Sequence, residues 1–300
     1  MTTYQELLST TEETLRNAQI WCGHGYDSAH DEAVALVLAA AGLPENTGTD
    51  ILEQPVAPKT LEKLGEYLRL RTRERQPTAY IIGYGWLGPL KFKADPRALV
   101  PRSPLMELIA YEFQPWWQGD APGVIVDVCC GGGSLGLLAA AQFPEAQVEL
   151  LDIDEAALSL ARENLQLHQL DNVVISQADL LAPLAADSVD IILANPPYVD
   201  AQDMASLPPE YLHEPRLALE AGDDGLRLAH RLMAEAASVL RECGVLFMEV
   251  GNSWEALEQA YPNFGFTWLQ FESGGHGVCA LTYEELQHLR PQAESYSGQV

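Results

Sequence analysis

Apolar and polar positions change rhythm twice along this 300-residue chain. Up to about residue 75, "YQELLSTTEETLRNAQI", "SAHDEAVALVLAAAGL" and "APKTLEKLGEYLRLRTRER" carry apolar residues at helical spacing. Each such segment puts an apolar stripe on one face of a helix. Ser28 is placed to cap the second helix and Thr60 the third. Between the first two, "CGHGYD" is a glycine-bracketed turn, and its His24 reads as a loop or packing histidine. From Pro77 the spacing shortens. "AYIIGYGWLGPLKFKAD" predicts strands broken by Gly83, Gly85, Gly88 and Pro89, a hairpin connector over 76–104. "ALVPRSPLMELIAYEF" then leads into a helix.

After Pro122, strands and helices take turns. "GVIVDVC", "QVELLDI", "NVVISQAD", "VDIILAN" and "GVLFMEVG" predict strands. "SLGLLAAAQF", "EAALSLARENLQLH" and "GLRLAHRLMAEAASVLR" predict helices. Alternation of this kind implies an α/β fold with a parallel sheet covered on both faces. The end differs: "GFTWLQFES" and "VCALTYEEL", joined by "GGHG", predict a terminal antiparallel hairpin. The tail "RPQAESYSGQV" is expected to fray. The domain reading is therefore a helical part over 1–75, the connector, and an α/β part over 105–300.

Composition narrows the partners. There are 43 acidic against 17 basic residues, a net charge of −26, and no locally basic run. Nucleic-acid affinity rests largely on neutralising phosphates, so DNA is not an expected partner. The long-range field suits solubility, a salty habitat or a cationic partner. No apolar run reaches the roughly 18 residues of a membrane span, and the N-terminus lacks a secretory pattern. Five cysteines form no CxxC and no metal-ligand pair, as in a reduced cytoplasm. No metal site is expected, and the oligomeric state is not set by the sequence.

Two motifs carry chemistry. "DVCCGGGSLG" places Gly131, Gly133 and Gly136 in G-x-G-x-x-G between a strand and a helix. Such glycines let a ligand approach the backbone, and a dinucleotide would use them equally well. The carboxylates tilt the reading. Asp127 precedes the glycines, where it suits an ammonium or sulfonium rather than a phosphate. Asp152, followed by Ile153, ends the next strand, where a carboxylate can take ribose hydroxyls. Asp179 ends the third, within reach of an adenine amino group. Acids at three consecutive strand ends favour a cationic adenosine ligand without phosphates, S-adenosylmethionine.

The fourth strand ends in Asn195-Pro196-Pro197-Tyr198. Open α/β sheets bind ligands at the carboxyl ends of their strands. An amide or ring amino nitrogen is a poor nucleophile because its lone pair is delocalised. The Asn195 side-chain oxygen and the Pro196 carbonyl can accept its two N–H groups and aim the lone pair at a methyl group. Proline supplies a carbonyl without a competing donor, and Tyr198 can stack on the planar substrate. Positioning of this kind can supply up to roughly 7–11 kcal/mol of barrier reduction. No strong base is required, since the methylated nitrogen loses its proton readily to water. Adenine amino-methylation in DNA could use the same tetrapeptide, but the charge opposes it. A nicotinamide-dependent oxidoreductase would leave the tetrapeptide without a task, and a binding module without turnover would leave it unused.

With these residues in hand, the chain resembles the class I S-adenosylmethionine-dependent methyltransferases. Within them it is similar to the protein glutamine N(5)-methyltransferases, which share Asn-Pro-Pro-Tyr. One branch modifies peptide-chain release factors; the other modifies a glutamine of large-subunit ribosomal protein three. "CGHGYDSAHDEAVALVL", "AYIIGYGWLGPLKFKADPRALVPRSPLMELI" and "NPPYVDAQDMASLPPEYLHEPRLALEAGDDGL" resemble the second branch. The resemblance implies a Rossmann-like methyltransferase sheet, a cytoplasmic enzyme and S-adenosylmethionine as cofactor, released as S-adenosylhomocysteine. It also implies a basic ribosomal protein as partner. By position, Asp127, Gly131, Gly133, Asp152, Ile153, Asp179 and Asn195 would hold the donor. Asn195, Pro196, Pro197, Tyr198, Arg102 and Glu214 would line the substrate side, with Ser103 near its entrance. The family commonly has a threonine and a serine where this chain has Cys130 and Gly132.

Overall fold

The computed structural model describes residues 2–118 and 121–297. The helical part begins with α1 (Tyr4–Asn17), α2 (Ala29–Ala41) and α3 (Pro58–Thr72). Thr3 and Ser28 cap the first two by accepting from backbone N–H groups. Thr60 does not cap α3. That helix starts two residues earlier with Pro58 at its first position and Ala57 at the cap, and Thr60 is buried inside the first turn. Proline there needs no N–H partner, which lets it outrank a hydroxyl cap. Leu7, Leu15, Leu36, Val37 and Leu64 form the core of these helices.

"TAYII" forms a short helix, α4 (Thr78–Ile82), where strand was expected. Ile81 and Ile82 pack on the helical core, and Gly83 ends the turn at φ +84°. The expected hairpin follows as β1 (Tyr84–Leu87) and β2 (Leu90–Lys93), paired antiparallel. After it comes α5 (Leu105–Ala110).

The α/β part runs β3 (Val124–Val128), α6 (Ser134–Gln142), β4 (Gln147–Asp152), α7 (Glu155–His168), β5 (Val173–Gln177) and β6 (Val189–Ala194). It continues with α8 (Ala201–Met204), α9 (Arg227–Val239), β7 (Leu240–Glu249) and α10 (Trp254–Ala260). The last elements are β8 (Thr267–Trp268), β9 (Val278–Thr282) and α11 (Tyr283–Ser297). The seven strands lie in the order β5-β4-β3-β6-β7-β9-β8. The first five run parallel, and β9 pairs antiparallel with both β7 and β8. Central strands are apolar on both faces. Ile192, Leu246 and Met248 join one core with α9 and α11, while Ile191, Leu193 and Phe247 join the other with α5 and α6.

The tail does not fray through Ser297. Leu286, Leu289 and Ala293 are buried at helical spacing, and Tyr296 stacks on His230 of α9. Residues 298–300 lie outside the described residues. No helix among the described residues is long and apolar enough to cross a membrane.

Candidate active site

The sheet presents the carboxyl ends of β3, β4, β6 and β7 to one edge, and two clefts meet there. The first, about 320 Å³, is lined by Asp127, Gly131, Asp152, Ile153, Asp179 and Asn195, among others. The chain leaves β3 through Cys129 at φ +57° and Gly131 at φ +54°. Gly132 also lines this cleft, while Gly133 does not. A Cβ at Gly133 would come 3.0 Å from Leu150 Cδ1 and one at Gly136 2.0 Å from Leu150 Cδ2. These two glycines therefore let α6 seat against the sheet, and the backbone that faces the cleft is that of Gly131 and Gly132.

Asp127 and Asp152 are held by backbone N–H groups. Asp152 accepts from Gly131 at 2.8 Å and Asp154 at 2.9 Å. Asp127 is 1% exposed and accepts from Gly136 at 2.8 Å. Burial, which disfavours the ionised form, pushes the Asp127 carboxyl up to about 7. Burial raises Asp152 as well. A cationic ligand would offset that penalty. Ile153 is 54% exposed, an apolar side chain left open at the cleft wall where a flat ring could lie. Asp179 pairs with Arg231 of α9 at 3.0 Å, a partner its local sequence does not reveal.

The second cleft, about 580 Å³, lies between the turn after α1, the hairpin, the chain after β6 and the β8–β9 loop. Asp27, Trp86, Tyr198, Tyr211, Asn252 and His276 are among its walls. Asn195 lines both clefts. None of the described residues hydrogen-bonds its side chain, so the amide is free to take a ligand at the junction. Pro196 is buried, Pro197 faces the first cleft and Tyr198 the second.

Tyr198 is fixed on two sides. Its hydroxyl donates to Glu249 at 3.0 Å. Its ring lies so close to Gly251 that a Cβ there would come 2.4 Å from Tyr198 Cε2. Glu249, at the end of β7, also accepts from Ser103 at 2.7 Å and is 7% exposed. Burial pushes its carboxyl up. The sequence reading missed Glu249, although it is one more carboxylate at a strand end, the signal that found the three aspartates.

Arg102 lines both clefts, but its guanidinium is already engaged. It donates to both oxygens of Glu214, at 2.6 and 2.7 Å. Burial alone would raise the Glu214 carboxyl; the Arg102 charge and hydrogen bonds outweigh it and hold the group at about 2. Glu214 is 5% exposed and also accepts from Val100 N–H. The pair thus ties the connector to the loop behind the cleft wall. His24, 2% exposed, packs at a tilt against the Tyr211 ring and sits 3.3 Å from Glu214, the packing role expected of it.

A second buried tie was invisible in the sequence. Arg71 of α3 donates to both oxygens of Glu32 on α2 and, at 2.9 Å, to Glu210. Glu210 also accepts from Trp21 N–H. The loop that follows the tetrapeptide is therefore pinned to the helical part at Glu210 and to the connector at Glu214.

Sheet order, glycine loop and a strand-end Asn-Pro-Pro-Tyr together define a class I methyltransferase fold. Residues 117–264 match the family described as "Methyltransferase small domain". The solved catalytic domain of hMettl16, in complex with a MAT2A 3′UTR hairpin, shares this fold. It has a TM-score of 0.51 and 17% identity, over 75% of this chain and 82% of that one. Ribosomal protein uL3 glutamine methyltransferase of Francisella tularensis is 40% identical over 96% of this chain and 92% of its own length. The protein of the same name from Xanthomonas campestris is 38% identical over 94% of this chain and 91% of its own. The chain belongs to the ribosomal protein uL3 glutamine methyltransferase family.

Proposed function

We propose that this protein transfers a methyl group from S-adenosylmethionine to the side-chain amide nitrogen of a glutamine in ribosomal protein uL3. The observation that carries the proposal is the position of Asn195, with its unpaired amide at the junction of two clefts. The first cleft suits the donor: backbone of Gly131 and Gly132, the Asp152 carboxylate for ribose hydroxyls, the open Ile153 face for a ring, and Asp127 for positive charge. When bound, the donor supplies an electrophilic methyl group on sulfur.

The chain's own residues do the rest. Asn195 Oδ1 and the Pro196 carbonyl accept the two N–H groups of the glutamine amide and hold its nitrogen toward the first cleft. Pro196 offers no N–H to compete. Tyr198, locked by Glu249 and Gly251, walls the amide plane. The bound donor would give up its methyl group to that nitrogen and leave as a neutral thioether, and the nitrogen's surplus proton would pass to water. The gain comes from orientation of a weak nucleophile. A ribosomal substrate supports a cytoplasmic setting for the reaction.

The test offers purified uL3 and a peptide-chain release factor in parallel, with labelled donor and peptide mass mapping. One methyl group on a uL3 glutamine supports the proposal. Label confined to the release factor moves the chain's substrate to the other branch.

A further inference from the structure

The loop between β8 and β9 closes one wall of the second cleft and is held from two sides. Glu107 of α5 accepts from Glu272 N–H at 3.0 Å and Ser273 N–H at 2.6 Å. Farther along, His276 Nε2 lies 2.8 Å from Asn252 Oδ1, and Asn252 Nδ2 donates to Asp203 Oδ2 at 2.9 Å. All three side chains line the cleft.

This chain of contacts fixes the histidine tautomer. A carboxylate only accepts, so Asn252 must turn its NH2 toward Asp203 and its oxygen toward His276. The oxygen only accepts, so His276 Nε2 carries the hydrogen. In the neutral ring Nδ1 is then a bare acceptor, and none of the described residues hydrogen-bonds it. The surroundings favour a donor, above all a positive one. Asp27, Asp203 and Glu249 line the same cleft, and its arginine, Arg102, is neutralised by Glu214.

Building on the function proposed above, we infer that His276 is a specificity-determining residue whose Nδ1 accepts a hydrogen bond from the substrate polypeptide beside the target glutamine. The donor is a substrate N–H, from the backbone or from a lysine or arginine side chain. Asp203 and Asn252 act through His276, holding the ring in the accepting tautomer.

Two substitutions separate recognition from loop anchoring. His276→Gln keeps an N–H that can reach Asn252 but lacks an acceptor at the Nδ1 position. His276→Asn keeps an acceptor there but cannot reach Asn252. Steady-state methylation of uL3 is measured for each, with donor affinity by calorimetry. His276→Gln should raise KM for uL3 about 3- to 10-fold, the worth of one hydrogen bond, with kcat and donor affinity unchanged. His276→Asn should stay near the wild-type KM. The reverse pattern, equal KM increases, or no change in either variant overturns the inference. If the KM ratio shrinks with added salt, the donor is a charged side chain; a constant ratio identifies a backbone N–H. Absence of uL3 methylation by the wild type would instead overturn the function proposed above, and this inference with it.

Discussion

At the scale of single residues, the site consists of side chains whose surroundings leave one task open. Asp127 is buried against Gly136 with its carboxyl pushed up to about 7. Its ionised form would be favoured by a cationic ligand, so binding and deprotonation are linked. Donor affinity should be full above pH 7 and fall, approaching tenfold per pH unit, as pH drops below the free-state value. Calorimetry across pH 5.5 to 8, taken at about half-unit steps, checks this, and Asp127→Asn should flatten the profile. A flat wild-type profile would place the donor's charge elsewhere. Asp152→Ala removes a carboxylate that also orders Gly131. It should weaken donor binding about 10- to 100-fold, the range for hydrogen bonds to charged groups. Unchanged affinity would exclude Asp152 from the ribose position.

At the scale of elements, the buried Arg71 shows how the active-site loop is held. Its guanidinium joins Glu32 and Glu210 with all three side chains at most 2% exposed. Removing it leaves the buried Glu32 without its cation and Glu210 with Arg75 alone, so Arg71→Met should lower the unfolding free energy by about 3–5 kcal/mol. Denaturant titration measures that loss, and a change within error would show that the loop is anchored by other contacts. Ties of this kind explain what the sequence could and could not reveal. Strands β3 to β7 were legible because apolar runs of this length, alternating with amphipathic segments, leave little choice of topology. Asp127, Asp152, Asp179 and Asn195 were legible because they stand at strand ends. Glu210, Arg71 and Arg231 were not, since their partners lie far away in the chain and leave no local pattern. Thr60 misled because Pro58 starts the helix, and "AYII" misled because β-branched residues also pack on a helical core. The final helix was hidden by Pro291 and a polar surface, although Leu286, Leu289 and Ala293 carried its spacing.

At the scale of the whole molecule, the turn after α1, the hairpin and loops at the sheet edge together enclose the larger cleft, so a substrate seated there would meet segments distant in sequence. The net charge of −26 gives the molecule a long-range field suited to a basic protein. Its association rate with uL3 should fall as salt rises, because screening shortens the field's reach to about 8 Å at physiological ionic strength. Stopped-flow association at several salt concentrations measures this; a salt-independent rate would remove charge from the account. The central claim concerns Asn195 at the meeting of the two clefts. Its most direct test compares Asn195→Ala with the wild type, by calorimetry with the donor and by labelled-methyl transfer to uL3. Donor binding should remain close to wild type while transfer falls about 100-fold or more, as misplacement of a reacting group does. Wild-type turnover in Asn195→Ala would contradict the amide clamp.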